Sequence, residues 1–169
     1  MTLQIDLVPI PVYVLRMLAD YDLAGAGRVM GLTMPPSMLD SQWVWSAFAA
    51  RIAADPANAF WRTQYVAVED GRIVGDVRMH APPDDDGMVS IGYQVVPTER
   101  RRGVAVAATR ALLVIAAARP EVRLVVTLVS PSNTASLKVC DRLGFVDVGE
   151  QRHALTGQMM RRLERAPTA

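Results

Sequence analysis

"VPTERRRGVAVAATRALLVIAAA", residues 96–118, decides the fold. Pro97 has no backbone donor and closes the strand before it, while Gly103 to Ala118 is helix-forming and nearly all apolar. A helix apolar on most faces packs on a sheet. Between the two lie Arg100, Arg101 and Arg102, and then Gly103. A helix N-terminus presents unpaired N–H groups and about half a positive charge, so a glycine turn leading into one is an anion cradle. The arginines add fixed charge, Gly103 lets the chain come close to the bound group, and the small Ala105 keeps the entrance open. The expected anion is a phosphate or pyrophosphate.

Outward from this stretch, "MVSIGYQVV" (88–96) alternates as a strand. "VRLVVTLV" (122–129) is a continuous β-branched run, which marks a strand covered on both faces and paired in parallel. Strand, helix and strand over 88–129 make one right-handed crossover. Upstream, "TQYVAVE" (63–69) and "RIVGDVRMH" (72–80) flank Asp70-Gly71, a strong hairpin signal. "LQIDLV" (3–8) reads as a strand and "VYVLRMLADYDLAGAGRVM" (12–30) as a helix degrading into loop around Gly25 and Gly27. "PPSMLDSQWVWSAFAARIAADP" (35–56) reads as a second helix, with Ser37 and Asp40 spaced as a capping box. After "SPSN", "TASLKVCDRLG" (134–144) is a short helix stopped by Gly144, and "FVDVGEQ" (145–151) with "QMMRRLER" (158–165) closes the chain as a hairpin. The order β-α-α-β-β-β-α-β-α-β-β predicts one α/β domain over 1–169, with a mixed sheet.

Composition bounds the function. The chain is 51% hydrophobic and 21% charged, which is globular, and 18 Lys plus Arg against 17 Asp plus Glu offer no global attraction to nucleic acid or anionic membrane. The apolar run 103–118, interrupted by Arg110, is shorter than the roughly 20 residues of a membrane span. "MTLQIDLVPIP" lacks the features of a signal peptide, so a cytoplasmic location is expected. One cysteine, Cys140, and two histidines, His80 and His153, predict no disulfide and no metal site. Neither GxGxxG nor a P-loop motif occurs.

Arg100-x-x-Gly103-x-Ala105, between a strand ending "IGYQVVP" and a helix, resembles the coenzyme A pyrophosphate loop of the GNAT superfamily of acyl-CoA-dependent N-acyltransferases. "SPSNTASLKVCDRLGFVDVG" is similar to that superfamily's later segment, N-x-x-S/A followed by L-G-F. The two matches cover about residues 88–150 in the right order around the right elements. "IGYQVVPTERRRG" and "NTASLKVCDRLGF" look most like the ribosomal-protein N-terminal alanine acetyltransferase branch.

The resemblance implies a GNAT-like fold: a mixed, mostly antiparallel sheet of about six to seven strands with a central parallel pair, flanked by helices. It implies an acetyl-CoA-dependent enzyme that acetylates a primary amine, a protein N-terminus or a small molecule, by direct attack in a ternary complex without metal. It admits a homodimer. Backbone N–H groups of Arg101, Arg102, Gly103, Val104, Ala105 and Val106, with Arg100 beside them, would hold the pyrophosphate. Val95 and Val96, at a bulged strand end, would pair with the pantetheine arm, and one of their N–H groups would stabilise the oxyanion. Asn133 and Ser136 would face the cofactor from the other side.

Two positions depart from the superfamily pattern. A glutamate base is replaced by Ser90, leaving Glu69, Asp76, His80, Asp84, Asp85 and Asp86 as substitutes. A tyrosine acid is replaced by Cys140, leaving Ser136 or Cys140 to serve the departing thiolate. Without a strong base, an α-amine of pKa near 8 is the easier acceptor: at pH 7 it is about 10% neutral against about 0.04% for lysine, a difference of roughly 3 kcal/mol. Trp43, Trp45 and Phe48 occupy the region that lines the acceptor pocket in such proteins, and "PPDDDG" (82–87) would attract a cationic amine to its rim. The alternatives are a catalytically silent acyl-CoA-binding module and a nucleic-acid role for the arginine patch. The second lacks interleaved aromatics.

Overall fold

The computed structural model describes residues 3–167. The elements run β1 (Asp6–Pro9), α1 (Val12–Ala19), α2 (Leu23–Met30), α3 (Gln42–Ala54), β2 (Gln64–Glu69), β3 (Arg72–Met79), β4 (Met88–Val95), α4 (Val104–Ala117), β5 (Leu124–Val129), α5 (Thr134–Arg142), β6 (Val146–Arg152) and β7 (Met159–Arg165). Seven strands form one sheet in the order β1-β2-β3-β4-β5-β7-β6. Every neighbouring pair is antiparallel except β4 and β5. This is the expected mixed α/β sheet with an inner parallel pair, crossed over by α4. Residues 1, 2, 168 and 169 of the expected domain lie outside the described residues.

Two cores sandwich the sheet. On one face Val77, Met79, Val89 and Ile91 pack with Ala108, Leu112, Leu113 and Ala116 of α4. On the other, Val66, Val68 and Ile73 meet Leu15 and Leu18 of α1 and Val44, Trp45 and Phe48 of α3. The apolar breadth of α4 therefore has its expected cause: the helix lies flat on a sheet, and its buried side chains are 0–2% exposed at these four positions.

Three local expectations are corrected. The first helix is two helices, because Tyr21 takes φ +62° and the Asp22 carboxylate then accepts from the Gly25 N–H at 2.8 Å, capping α2. Gly25 lies inside that helix because a Cβ there would fall on the Asp22 carboxylate. The Ser37–Asp40 capping box is absent. Pro36–Ser41 is a 3-10 turn, α3 begins only at Gln42, and the Trp45 indole N–H ties the two by donating to the Met38 carbonyl at 2.7 Å. The third correction concerns β4. Its register with β3 is regular from Met79↔Ile91 to Gly75↔Val95, so the strand end is not bulged.

Candidate active site

The site begins as a failure of strand pairing. β4 and β5 are paired only at Met88–Ser90 with Leu124–Val126, while β4 runs on to Val95 and β5 to Val129. Beyond Ser90 the two strands part, and backbone groups on the facing edge of β4 lose their ladder partners. Alternation decides which groups those are. The His80 N–H donates to the Ser90 carbonyl at 2.9 Å, and the Val96 N–H to the Val74 carbonyl at 3.0 Å. Even-numbered residues of β4 thus bond to β3, the Ile91 N–H closes the ladder to β5 at Val126, and the N–H groups of Tyr93 and Val95 turn toward the gap. Val96 is corrected as an oxyanion donor, since its N–H is engaged with Val74. Val95 keeps a free one.

The mouth of the gap is a recess of about 640 Å³ lined by Tyr93, Val95, Arg100, Arg101, Gly103, Val104, Ala105, Val106, Asn133 and Ser136, with Lys138 and Arg142 on α5. Among the described residues, nothing in the chain accepts from the N–H groups of Arg100 through Val106; the first helical bond of the turn is Ala107 N–H to Gly103 O, at 3.0 Å. Arg101 and Gly103 both take left-handed backbone, φ +63° and +89°, which for the arginine is a strained conformation. A Cβ on Gly103 would meet nothing within 4 Å. Free amides, four basic side chains and open space above the glycine fit a diphosphate.

Arg102 does not line this recess. Its guanidinium turns outward, donating to Glu69 at 2.9 Å and to Glu99, and so ties the loop to the end of β2. That accounts for Glu69, which is a tether and stands away from the site. Asn133 caps α5, its side chain accepting from the Ser136 N–H at 3.1 Å, so the cap residue and the recess residue are one.

A second recess, of about 340 Å³, opens where Arg78, His80, Ser90, Gly92 and His153 surround the gap, and it shares Tyr93, Asn133 and Ser136 with the first. His80 Nδ1 lies 3.2 Å from Ser90 Oγ. Burial, then the charges of Arg78, Arg51 and His153, lower the His80 imidazole to about 4, so it is neutral at physiological pH. Behind it, burial pushes Asp76 up to about 6 against the pull of Arg78, whose Nη1 donates to it at 2.7 Å. Asp76 lines neither large recess. Neither do Asp84, Asp85 or Asp86: the Asp84 carboxylate accepts from the N–H groups of Asp86 and Met88 and closes its own turn. The aromatic lining is corrected too. Trp45 and Phe48 are buried core, Trp43 is 68% exposed, and only Phe48 bears on the site, with its ring 6.3 Å from that of His80.

Cys140 lies under the floor at 1% exposure, its thiol pushed by burial up to about 11. It touches neither recess. The hydroxyl that stands there comes from Tyr93, which donates to the Ser136 carbonyl at 3.4 Å and is raised by burial to about 12. Sequence reasoning missed Tyr93 because it sought the tyrosine on α5. The signal was its place two residues before Val95 on β4, which period-2 alternation puts on the same face.

A mixed sheet opened between two parallel strands, with an amide collar at its mouth, defines the acyl-transfer class of α/β fold. The chain belongs to the acetyltransferase (GNAT) domain family, whose pattern matches residues 14–146. It is 31% identical over 81 residues to an uncharacterized N-acetyltransferase, YjdG, of Bacillus subtilis (strain 168), a match spanning 48% of each chain, so about half the length of that relative is covered. Its fold is similar to RimL, the ribosomal L7/L12 alpha-N-protein acetyltransferase, in complex with coenzyme A (TM-score 0.68, 18% identity, 98% of this chain and 95% of that one). It is equally similar to the aminoglycoside acetyltransferase AAC(6')-Ib in complex with coenzyme A (TM-score 0.68, 18% identity, 96% and 95%). Likeness to both leaves the ribosomal-protein branch unsingled among acetyltransferases of this fold.

Proposed function

We propose that this chain transfers an acetyl group from acetyl-CoA to the α-amine, or a similarly weak primary amine, of a protein N-terminus or small molecule. The observation that carries it is the gap between β4 and β5, which joins an amide-lined anion recess to a second recess holding His80 and Ser90. Coenzyme A fits the first, and the acceptor reaches it through the second. The α-amine preference, and with it the ribosomal-protein branch, is supported by Ser90 in place of a carboxylate and by the motifs "IGYQVVPTERRRG" and "NTASLKVCDRLGF".

In this reading the N–H groups of Arg101 to Val106 grip the diphosphate, with Arg100, Arg101, Lys138 and Arg142 adding charge. The Val95 N–H donates to the thioester oxygen and strengthens as charge develops there. Arg78 in the acceptor recess, with Arg51 nearby, supplies positive potential, which favours the neutral form of a bound amine over its ammonium. His80, neutral and backed by Ser90, takes the proton the attacking nitrogen releases. The Ser136 hydroxyl and Tyr93 stand where the sulfur departs, and both remain protonated donors at neutral pH.

Thiol release from acetyl-CoA against a panel of amines tests this. Amine-dependent release with intersecting initial-rate lines and no acetylated enzyme by mass spectrometry is the expected result. Thermal stabilisation by acetyl-CoA with no thiol released under any amine establishes the silent binding module instead.

A further inference from the structure

The acceptor recess has an unfilled guanidinium. Arg78 gives Asp76 only its Nη1, at 2.7 Å, and among the described residues no acceptor lies within bonding distance of Nε or Nη2. Nε is buried without a partner, a state that native proteins rarely tolerate. Nε is closed to a ligand, but Nη2 is neither buried in this way nor hydrogen-bonded, and it leaves one charged N–H donor of an arginine free to take a carboxylate at the recess. The side chain is 16% exposed and its carbon Cζ lies over Gly92, 3.5 Å from where a Cβ would stand; the His80 ring crowds the same point at 3.0 Å. Gly92 is thus the clearance that lets both groups lie flat on β4. The titratable groups lining this recess are Arg78, His80, Tyr93 and His153, with no Asp or Glu among them. Asp76 is already paired, and Arg51, over the Phe48 ring, adds another positive charge nearby.

We infer that the acceptor is an aminocarboxylate: a primary amine with a carboxylate a few bonds away, which the free Nη2 of Arg78 receives beside Gly92. This rests on the proposed acetyl-transfer reading and narrows it. A substrate carboxylate pairs with Nη2, offsets the charge of Arg78 and aims the amine past His80 at the gap. A polyamine or aminoglycoside, which brings only positive charge, finds no partner in this recess.

The test uses matched pairs on the full chain: free α-amino acids against their amides, and peptides beginning Ser-Glu against Ser-Gln. The first pair reads a main-chain carboxylate, the second an acidic side chain beside an N-terminus. The carboxylate member of at least one pair is expected to show kcat/KM higher by about tenfold or more. Arg78→Lys, which keeps a charge for Asp76 but removes the second terminal nitrogen, should erase most of that ratio through KM while leaving acetyl-CoA affinity unchanged. Calorimetry of the N-acetylated carboxylate and carboxamide products on the coenzyme A complex reads the same preference without turnover. Equal affinity and equal kcat/KM within both pairs, an unchanged ratio in Arg78→Lys, or a preference for spermidine overturns the inference. Failure of acetyl-CoA to bind refutes the acetyl-transfer reading itself, whereas an intact acetyl-CoA isotherm with carboxylate-blind acceptors refutes only the substrate class.

Discussion

His80 Nδ1 stands 3.2 Å from Ser90 Oγ, across the β3–β4 ladder at the position where the superfamily pattern places a glutamate. The two residues are a cross-strand pair, tied also through the His80 N–H and the Ser90 carbonyl at 2.9 Å. A neutral imidazole held by a hydroxyl supplies a proton acceptor where a carboxylate is missing. Ser90→Ala leaves the ladder bond and removes the side-chain one, so kcat is expected to fall about tenfold with acetyl-CoA KM unchanged. Steady-state kinetics decide it, and an unaltered kcat sinks the pairing as a catalytic device.

Gly103→Glu places a carboxylate in open space at the amide collar. Because a Cβ there meets nothing within 4 Å, the substitution is not a packing lesion; its structural cost is the side chain at φ +89°, about 1–3 kcal/mol. Coenzyme A affinity, in contrast, is expected to drop by about a hundredfold or more, since charge repulsion and lost access act together. Calorimetry gives the affinity and a thermal melt shows the fold surviving. Retained affinity removes the diphosphate from this loop.

Much of this was legible in the residues, for definable reasons. Element types followed from period and punctuation: β5 is a β-branched run because it is an inner strand, and α4 is apolar around most of its circumference because it lies on a sheet. The amide collar was legible because its geometry is that of the backbone and Gly103 marks it. What was not legible depends on long-range register. That Val96 bonds to Val74 and Val95 does not follows only from Gly75↔Val95 pairing. That Tyr93 reaches the Ser136 carbonyl and Arg102 reaches Glu69 depends on contacts between residues 43 and 33 apart in sequence. The split at Tyr21 escaped because a left-handed tyrosine has no local signal.

Cys140 should behave as core. At 1% exposure, with its thiol raised to about 11 by burial, it has almost no thiolate at pH 8. Native protein is expected to resist iodoacetamide for hours and react only when unfolded. Cys140→Ala should cost about 1–2 kcal/mol and leave kcat within about twofold. A thiol titrating rapidly in the native state, or a Cys140→Ala variant losing most of its turnover, restores it as a participant.

Asp76 and His80 make opposite demands on pH. Asp76 titrates near 6 when folded against a usual 3.8, so its contribution to stability is complete below about 4 and is lost as pH rises through 6. His80 titrates near 4 against a usual 6.5, so its contribution is complete above 6.5 and is lost as pH falls toward 4. Each is worth roughly 3 kcal/mol over nearly the same window. The wild-type chain should therefore show a nearly flat contribution from this pair between pH 4 and 6.5. Removing one partner unmasks the other. His80→Gln is expected to lose about 3 kcal/mol as pH rises from 4 to 6.5 relative to wild type, while Asp76→Asn gains stability over the same rise. Urea unfolding at half-unit pH steps reads both slopes, and two variants whose curves run parallel to wild type would show that neither group is held by its burial as the geometry requires.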